Sequence, residues 1–116
     1  MMKGLLKSFC DACRGLLLGL SSGRNVALSL LAVVVVTVVG VWQDFQSWQW
    51  AVVILCFMIV IALELVNTVV EKLCDLIEPR KSNKVRFIKD VTAGAVLWAC
   101  IGAAIIFFII LGDVLQ

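Results

Sequence analysis

Glu64, Asn67, Thr68, Glu71 and Asp75 recur at intervals of three and four residues, at i, i+3, i+4, i+7 and i+11. On a helix turning 100° per residue they occupy one face about 100° wide. The surrounding sequence, from Trp50 to Val70, is otherwise apolar. Three carboxylates on one stripe repel one another and resist entry into hydrocarbon. A charged residue at mid-bilayer costs at least ~2.5–3.5 kcal/mol. Such a stripe needs counter-charge, either a cation such as Mg²⁺ or basic side chains. Glu71 and Asp75 at the end of the stripe suit interfacial anchors as well as a site. Glu64, about seven residues or ~10 Å inside that end of the span at 1.5 Å per residue, points with Asn67 to function.

Basic groups stand nearby in the sequence. Lys89-Asp90 precedes Ala93-Gly94, and Arg86, Asp90, Ala93, Gly94 and Leu97 share one helical face. Ala93 and Gly94 permit close approach of a second helix or a ligand. Lys89 alone reads as a snorkelling anchor; beside a carboxylate stripe it also suits a phosphate. No Walker loop or kinase glycine loop occurs, so a nucleotide site here must be of another kind. The chain has no histidine, which excludes Ser-His-Asp chemistry, histidine metal sites and histidine pH switches within it. Cysteines 10, 13, 56, 74 and 100 include one Cys-x-x-Cys pair with no second pair, which reads as plain thiols rather than a metal site.

Composition supplies the elements that must position these groups. Of 116 residues, 63% are apolar and 16% charged, with a mean hydropathy of +1.11. So small a globule cannot hide that much apolar surface from water, so a soluble enzyme is excluded. The net charge of +2 gives no footprint for nucleic acid. Apolar runs at 26–42, 50–70 and 92–111 predict three transmembrane helices, because hydrocarbon forces the backbone to satisfy its own hydrogen bonds. Trp42, Trp48 and Trp50 bracket the first loop at the interface indoles favour. Lys3, Lys7, Arg14 and Arg24 precede span one, and Lys72, Arg80, Lys81, Lys84, Arg86 and Lys89 lie between spans two and three. The 43–49 loop and the tail after Leu111 carry none. The positive-inside rule therefore predicts a cytoplasmic N-terminus and 72–89 loop, with the C-terminus on the opposite side.

Residues 3–20 place Leu5, Leu6, Phe9, Cys13, Leu16, Leu17 and Leu20 on one stripe and Lys3, Lys7, Asp11 and Arg14 opposite. This predicts an amphipathic helix on the membrane surface; charge at Asp11 and Arg14 and the short apolar run count against a cleaved signal peptide. Ser21-Ser22-Gly23 ends it. Pro79 ends the helix that continues past span two, and Ser82-Asn83 are expected to extend that loop. The expected fold is an all-α membrane protein, with one surface helix and three transmembrane helices in a single domain over 1–116.

Ala62-Leu-Glu64-Leu-Val-Asn67-Thr68-Val-Val-Glu71-Lys-Leu-Cys-Asp75, followed by Lys89-Asp90-Val-Thr-Ala93-Gly94-Ala95-Val96-Leu97, strongly resembles the prokaryotic diacylglycerol kinase family, which includes the undecaprenol kinases. Ser8-Phe9 and Arg14-Gly15 fit the same pattern, and the likeness covers essentially the whole chain. It implies a homotrimeric lipid kinase of the bacterial inner membrane. Such an enzyme uses ATP with Mg²⁺ to phosphorylate a lipid hydroxyl, at sites between neighbouring subunits. By motif position, Glu64 is implied as the general base and Asn67 as its orienting partner. Glu71 is the implied metal ligand. Lys89, Asp90 and Arg86 are implied on the nucleotide, with Asp75 and Gly94 in support.

The chain departs from the family pattern at one metal position. Gly23, in Gly23-Arg24-Asn25, stands where a glutamate ligand is usual, and Ser29 where many members have histidine. Asp11 is the available substitute ligand. A catalytically impaired relative acting as a lipid-binding or scaffold protein is the second reading. An ion or proton channel is the third, disfavoured by Lys89-Asp90 and by charges gathered at one membrane side. Diacylglycerol and undecaprenol are not distinguished by the generic aliphatics of spans one and three.

Overall fold

A computed structural model describes residues 1–80 and 82–116, and Arg24 through its backbone alone. Lys81 and the Arg24 side chain, both counted above among the basic residues, lie outside the described residues. The chain forms four helices: α1 (Met2–Leu20), α2 (Arg24–Trp42), α3 (Ser47–Ile77) and α4 (Asn83–Val114). The all-α expectation holds, and α2, α3 and α4 are each long and apolar enough to cross a membrane.

The helices outrun the apolar segments that predicted them. The 19 residues of α2 span ~28 Å, close to one hydrocarbon thickness. The 31 residues of α3 and 32 of α4 span ~46 and ~48 Å, so both must project beyond it. Pro79 follows the end of α3, as expected. Ser82-Asn83 do not extend the loop, however. Ser82 is the N-cap of α4, its hydroxyl accepting from the Val85 amide at 3.2 Å, and Asn83 is already helical. A serine hydroxyl satisfying an otherwise orphaned first-turn amide accounts for the early start.

α3 is the hub. It packs chiefly on α4, less on α2, and least on α1. Gly19 lies at the α1 approach, where a Cβ would sit 2.6 Å from Leu65 Cδ2 and push that side chain aside. The apolar stripe of α1 is otherwise exposed, with Leu5, Leu6, Phe9 and Leu17 each more than half open.

The α2–α3 turn packs into a buried apolar cluster. Asp44 adopts φ 53°, a left-handed conformation that aspartate tolerates. The reversal places Phe45 against Trp50, with ring centroids 5.5 Å apart, over a core of Phe45, Val53 and Ile110. Gly40 completes it. A Cβ at position 40 would meet Trp50 at 2.5 and 2.8 Å and Phe45 at 3.0 Å.

Candidate functional site

At the other end of α3 the helices separate around a polar cavity of about 330 Å³. α3 contributes Glu64, Asn67, Glu71 and Asp75 to its lining, the stripe expected from their spacing. Lys72 joins them from α3. Gly23 and Asn25 line it from the start of α2, and Ala93 from α4. A second, apolar cavity of about 260 Å³ lies among α2, α3 and α4, lined by Ala32, Val60, Cys100 and Phe107, with Ser29 also in its wall.

Glu64 and Asn67 are buried, 6% and 8% exposed. Glu64 Oε1 accepts a hydrogen bond from the Ser29 hydroxyl at 2.7 Å. Asn67 turns the other way, its amide donating to Glu71 Oε1 at 3.3 Å. The residue expected to orient Glu64 therefore contacts Glu71, and the contact to Glu64 comes from Ser29 on α2. Thr68 spends its hydroxyl on the carbonyl of Glu64 at 3.0 Å, a helix-internal bond. Two atoms of this cluster, Glu64 Oε2 and Asn67 Oδ1, are buried with no hydrogen-bond partner among the described residues. Buried polar atoms are ordinarily satisfied, and leaving one unsatisfied costs ~1–3 kcal/mol. Both orphans are acceptors, so a hydrogen-bond donor or a cation would complete them.

Outside this cluster the carboxylates are open to water. Glu71 is exposed. Asp75 pairs with Lys89 across α3 and α4, Oδ1 to Nζ at 2.7 Å, with their side chains 67% and 35% exposed. Lys89 thus reaches the cavity through Asp75. Arg86, Asp90 and Gly94 are exposed and do not line this cavity. Asp11 does not line it either, and pairs loosely with Arg14 at 4.0 Å.

Among the described residues no three carboxylates or thiols converge as a closed metal cage. An exposed carboxylate at Glu71 beside a polar cavity suits a hydrated Mg²⁺, which keeps several waters and takes only one or two carboxylates besides phosphate oxygens. Gly23 bears on the same question. Its backbone is extended, φ −162°, and nothing lies within 4 Å of an added Cβ. A side chain there is neither strained nor crowded.

Sequence reasoning did not foresee two groups of the site. Lys72 reads in sequence as part of the basic loop, although it lies one residue beyond Glu71 and lines the cavity. Ser29 reads only as a replacement for histidine; a lone hydroxyl in the first half of an apolar span is the available clue.

The sequence pattern of the prokaryotic diacylglycerol kinase family matches residues 10–111. The chain is also similar to the undecaprenol kinase of Bacillus subtilis (strain 168), 31% identical over 99 residues that cover 85% of this chain and 78% of that protein.

Proposed function

The chain belongs to the prokaryotic diacylglycerol kinase family, and on that premise we propose that it transfers the γ-phosphate of ATP to the hydroxyl of a membrane lipid. The observation that carries this reading is the buried, half-satisfied carboxylate of Glu64. It lines the polar cavity and is bonded to Ser29 in the wall of the apolar one, with Oε2 lacking a donor. A lipid alcohol matches both surroundings. Its hydroxyl is the missing donor, and its hydrocarbon suits the aliphatic walls of the second cavity.

Phosphoryl transfer asks for positioning and charge neutralisation more than for a strong base. Glu64 takes the acceptor's proton at Oε2. The acceptor oxygen forms its bond to the γ-phosphorus as the bond from that phosphorus to the bridging oxygen breaks and ADP leaves. Asn67 ties the acceptor side to Glu71 through its amide. Glu71, with Asp75 in support, would hold Mg²⁺, which would neutralise charge on the phosphates. Lys89 exchanges its bond to Asp75 for a nucleotide phosphate, and Lys72 adds positive charge to the same cavity. Arg86, Asp90 and Gly94, which lie outside this chain's own cavity, serve the nucleotide site of a neighbouring copy in a homotrimer. The protein lies in the bacterial inner membrane with its N-terminus and the 72–89 segment in the cytoplasm, where ATP is, and its C-terminus on the opposite side.

The acceptor is undecaprenol or diacylglycerol. The first is supported by the name of the Bacillus relative, the second by the family description. The test is transfer of radiolabelled γ-phosphate by the purified full-length protein to each lipid in turn, with and without Mg²⁺. Label in either lipid only when Mg²⁺ is present is the expected result; label in neither overturns the reading. Gly23 favours a second reading, an impaired relative that binds lipid without phosphorylating it. Retained lipid binding with no transfer would establish that alternative.

A further inference from the structure

Hydroxyls in apolar helices usually satisfy themselves on their own backbone. Ser21, Ser22, Thr37, Thr68 and Thr92 all do so, donating to carbonyls three or four residues earlier. Ser29 is the exception. Among the described residues it is the one hydroxyl whose donated bond leaves its helix, running from α2 to Glu64 Oε1 on α3 at 2.7 Å. Its position is also a boundary: Ser29 is in the wall of the apolar cavity, while its partner Glu64 lines the polar one.

We propose that Ser29 is a positioning residue for phosphate transfer, holding Oε1 of Glu64 so that Oε2 alone meets the acceptor hydroxyl. The proposal rests on the lipid-kinase reading above, with Glu64 as base. A glutamate carries two equivalent oxygens on three rotatable bonds. A base must stand within hydrogen-bond reach of the proton it takes, and a misplacement of about 1 Å can cost ~10²-fold. Among the described residues no other side chain fixes this carboxylate. Asn67 gives its amide to Glu71, Thr68 gives its hydroxyl to the backbone, and no Lys or Arg pairs with Glu64 among the described residues. The oxygen that Ser29 leaves free is the one with no partner. In the transfer the acceptor's proton passes to Oε2 while its oxygen bonds to the γ-phosphorus and ADP departs. Ser29 keeps its proton on its own Oγ, donated toward Oε1, throughout and touches no reacting atom.

The test uses the purified full-length protein with a lipid alcohol, ATP and Mg²⁺. Ser29→Ala is expected to lower kcat about 10- to 100-fold, with KM for both substrates within about twofold. Ser29→Thr, which keeps the donor, restores kcat, and Ser29→Cys, a weaker donor of similar shape, lies between. In a Glu64→Gln background Ser29→Ala has no further effect, because the two changes remove one function. A rise in KM alone, or an equal loss in both backgrounds, overturns the proposal. A second readout needs no activity. The infrared carboxylate band of Glu64, isolated by subtracting the Glu64→Gln spectrum, shifts in Ser29→Ala and returns in Ser29→Thr; an unmoved band shows that the bond is absent. Wild-type protein that phosphorylates no lipid removes the kinase reading and the catalytic role with it. Active wild-type protein with an undiminished Ser29→Ala variant removes the role of Ser29 alone.

Discussion

The two ends of α3 bury polar side chains in opposite ways. Near its start, Gln49 is 3% exposed and its acceptor is engaged: Gln49 Oε1 accepts from the Gln46 amide at 2.7 Å, while Gln46 Oε1 accepts from the Trp48 indole at 2.9 Å. Aromatic rings close over this end, and Gly40 is there because nothing larger fits. Near the other end, Glu64 and Asn67 are buried almost as deeply, yet each keeps an acceptor without a donor. Depth of burial therefore does not separate structure from chemistry in this helix; completion of hydrogen bonds does. A satisfied network fixes a fold, whereas an incomplete one is tolerated where a ligand completes it.

Four substitutions sharpen or break that contrast. Glu64→Gln has the largest effect, a loss of ~10²–10⁴-fold in turnover, the usual worth of a general base. Its melting temperature in detergent should be unchanged, and a variant with undiminished turnover would show that the open end does no chemistry. Gly40→Ala does the reverse. Overpacking against Trp50 and Phe45 is expected to destabilise by about 1–3 kcal/mol, read as a lower melting temperature, with activity per folded molecule retained. Gly23→Glu adds a carboxylate in open space at the polar cavity. It is expected to lower the Mg²⁺ concentration for half-maximal activity about tenfold, the low end for a supporting residue at a metal site; an unchanged Mg²⁺ titration would show that position 23 lies outside metal control. Gln49→Ala is the smallest, about 1 kcal/mol from the unpaired Gln46 amide, again in melting temperature. Loss of transfer by Gln49→Ala without loss of stability would collapse the distinction between the ends.

The contrast was half legible in the sequence. Period and composition placed α2, α3 and α4 and put Glu64, Asn67, Glu71 and Asp75 on one face, because helical spacing alone decides which residues share a stripe. What escaped depends on how helices meet. Ser29 lies 35 residues from Glu64, and no local rule joins them. Lys89 and Asp75 were each legible as charges beside a membrane, but their pairing needs α3 and α4 to stand side by side beyond the apolar segment. The closed end was least visible. Phe45, Gly40 and Trp50 are ordinary interfacial residues until the left-handed Asp44 reverses the chain and stacks them. The N-cap at Ser82 was a local feature, read as loop because Pro79 drew the boundary too far along the chain.

The unbroken course of α3 carries a consequence of its own. From Trp48 to Glu64 is sixteen residues with no kink-forming proline, a rigid rod of ~24 Å. Anchored by tryptophans at one surface of a hydrocarbon layer ~30 Å thick, it sets Glu64 at a fixed ~6 Å short of the opposite surface. The helix is thus a depth gauge. A thinner bilayer lifts the carboxylate toward the headgroups, and a thicker one sinks it away from them. On the lipid-kinase reading, membrane thickness joins the Ser29 contact in setting how readily Glu64 meets a lipid hydroxyl.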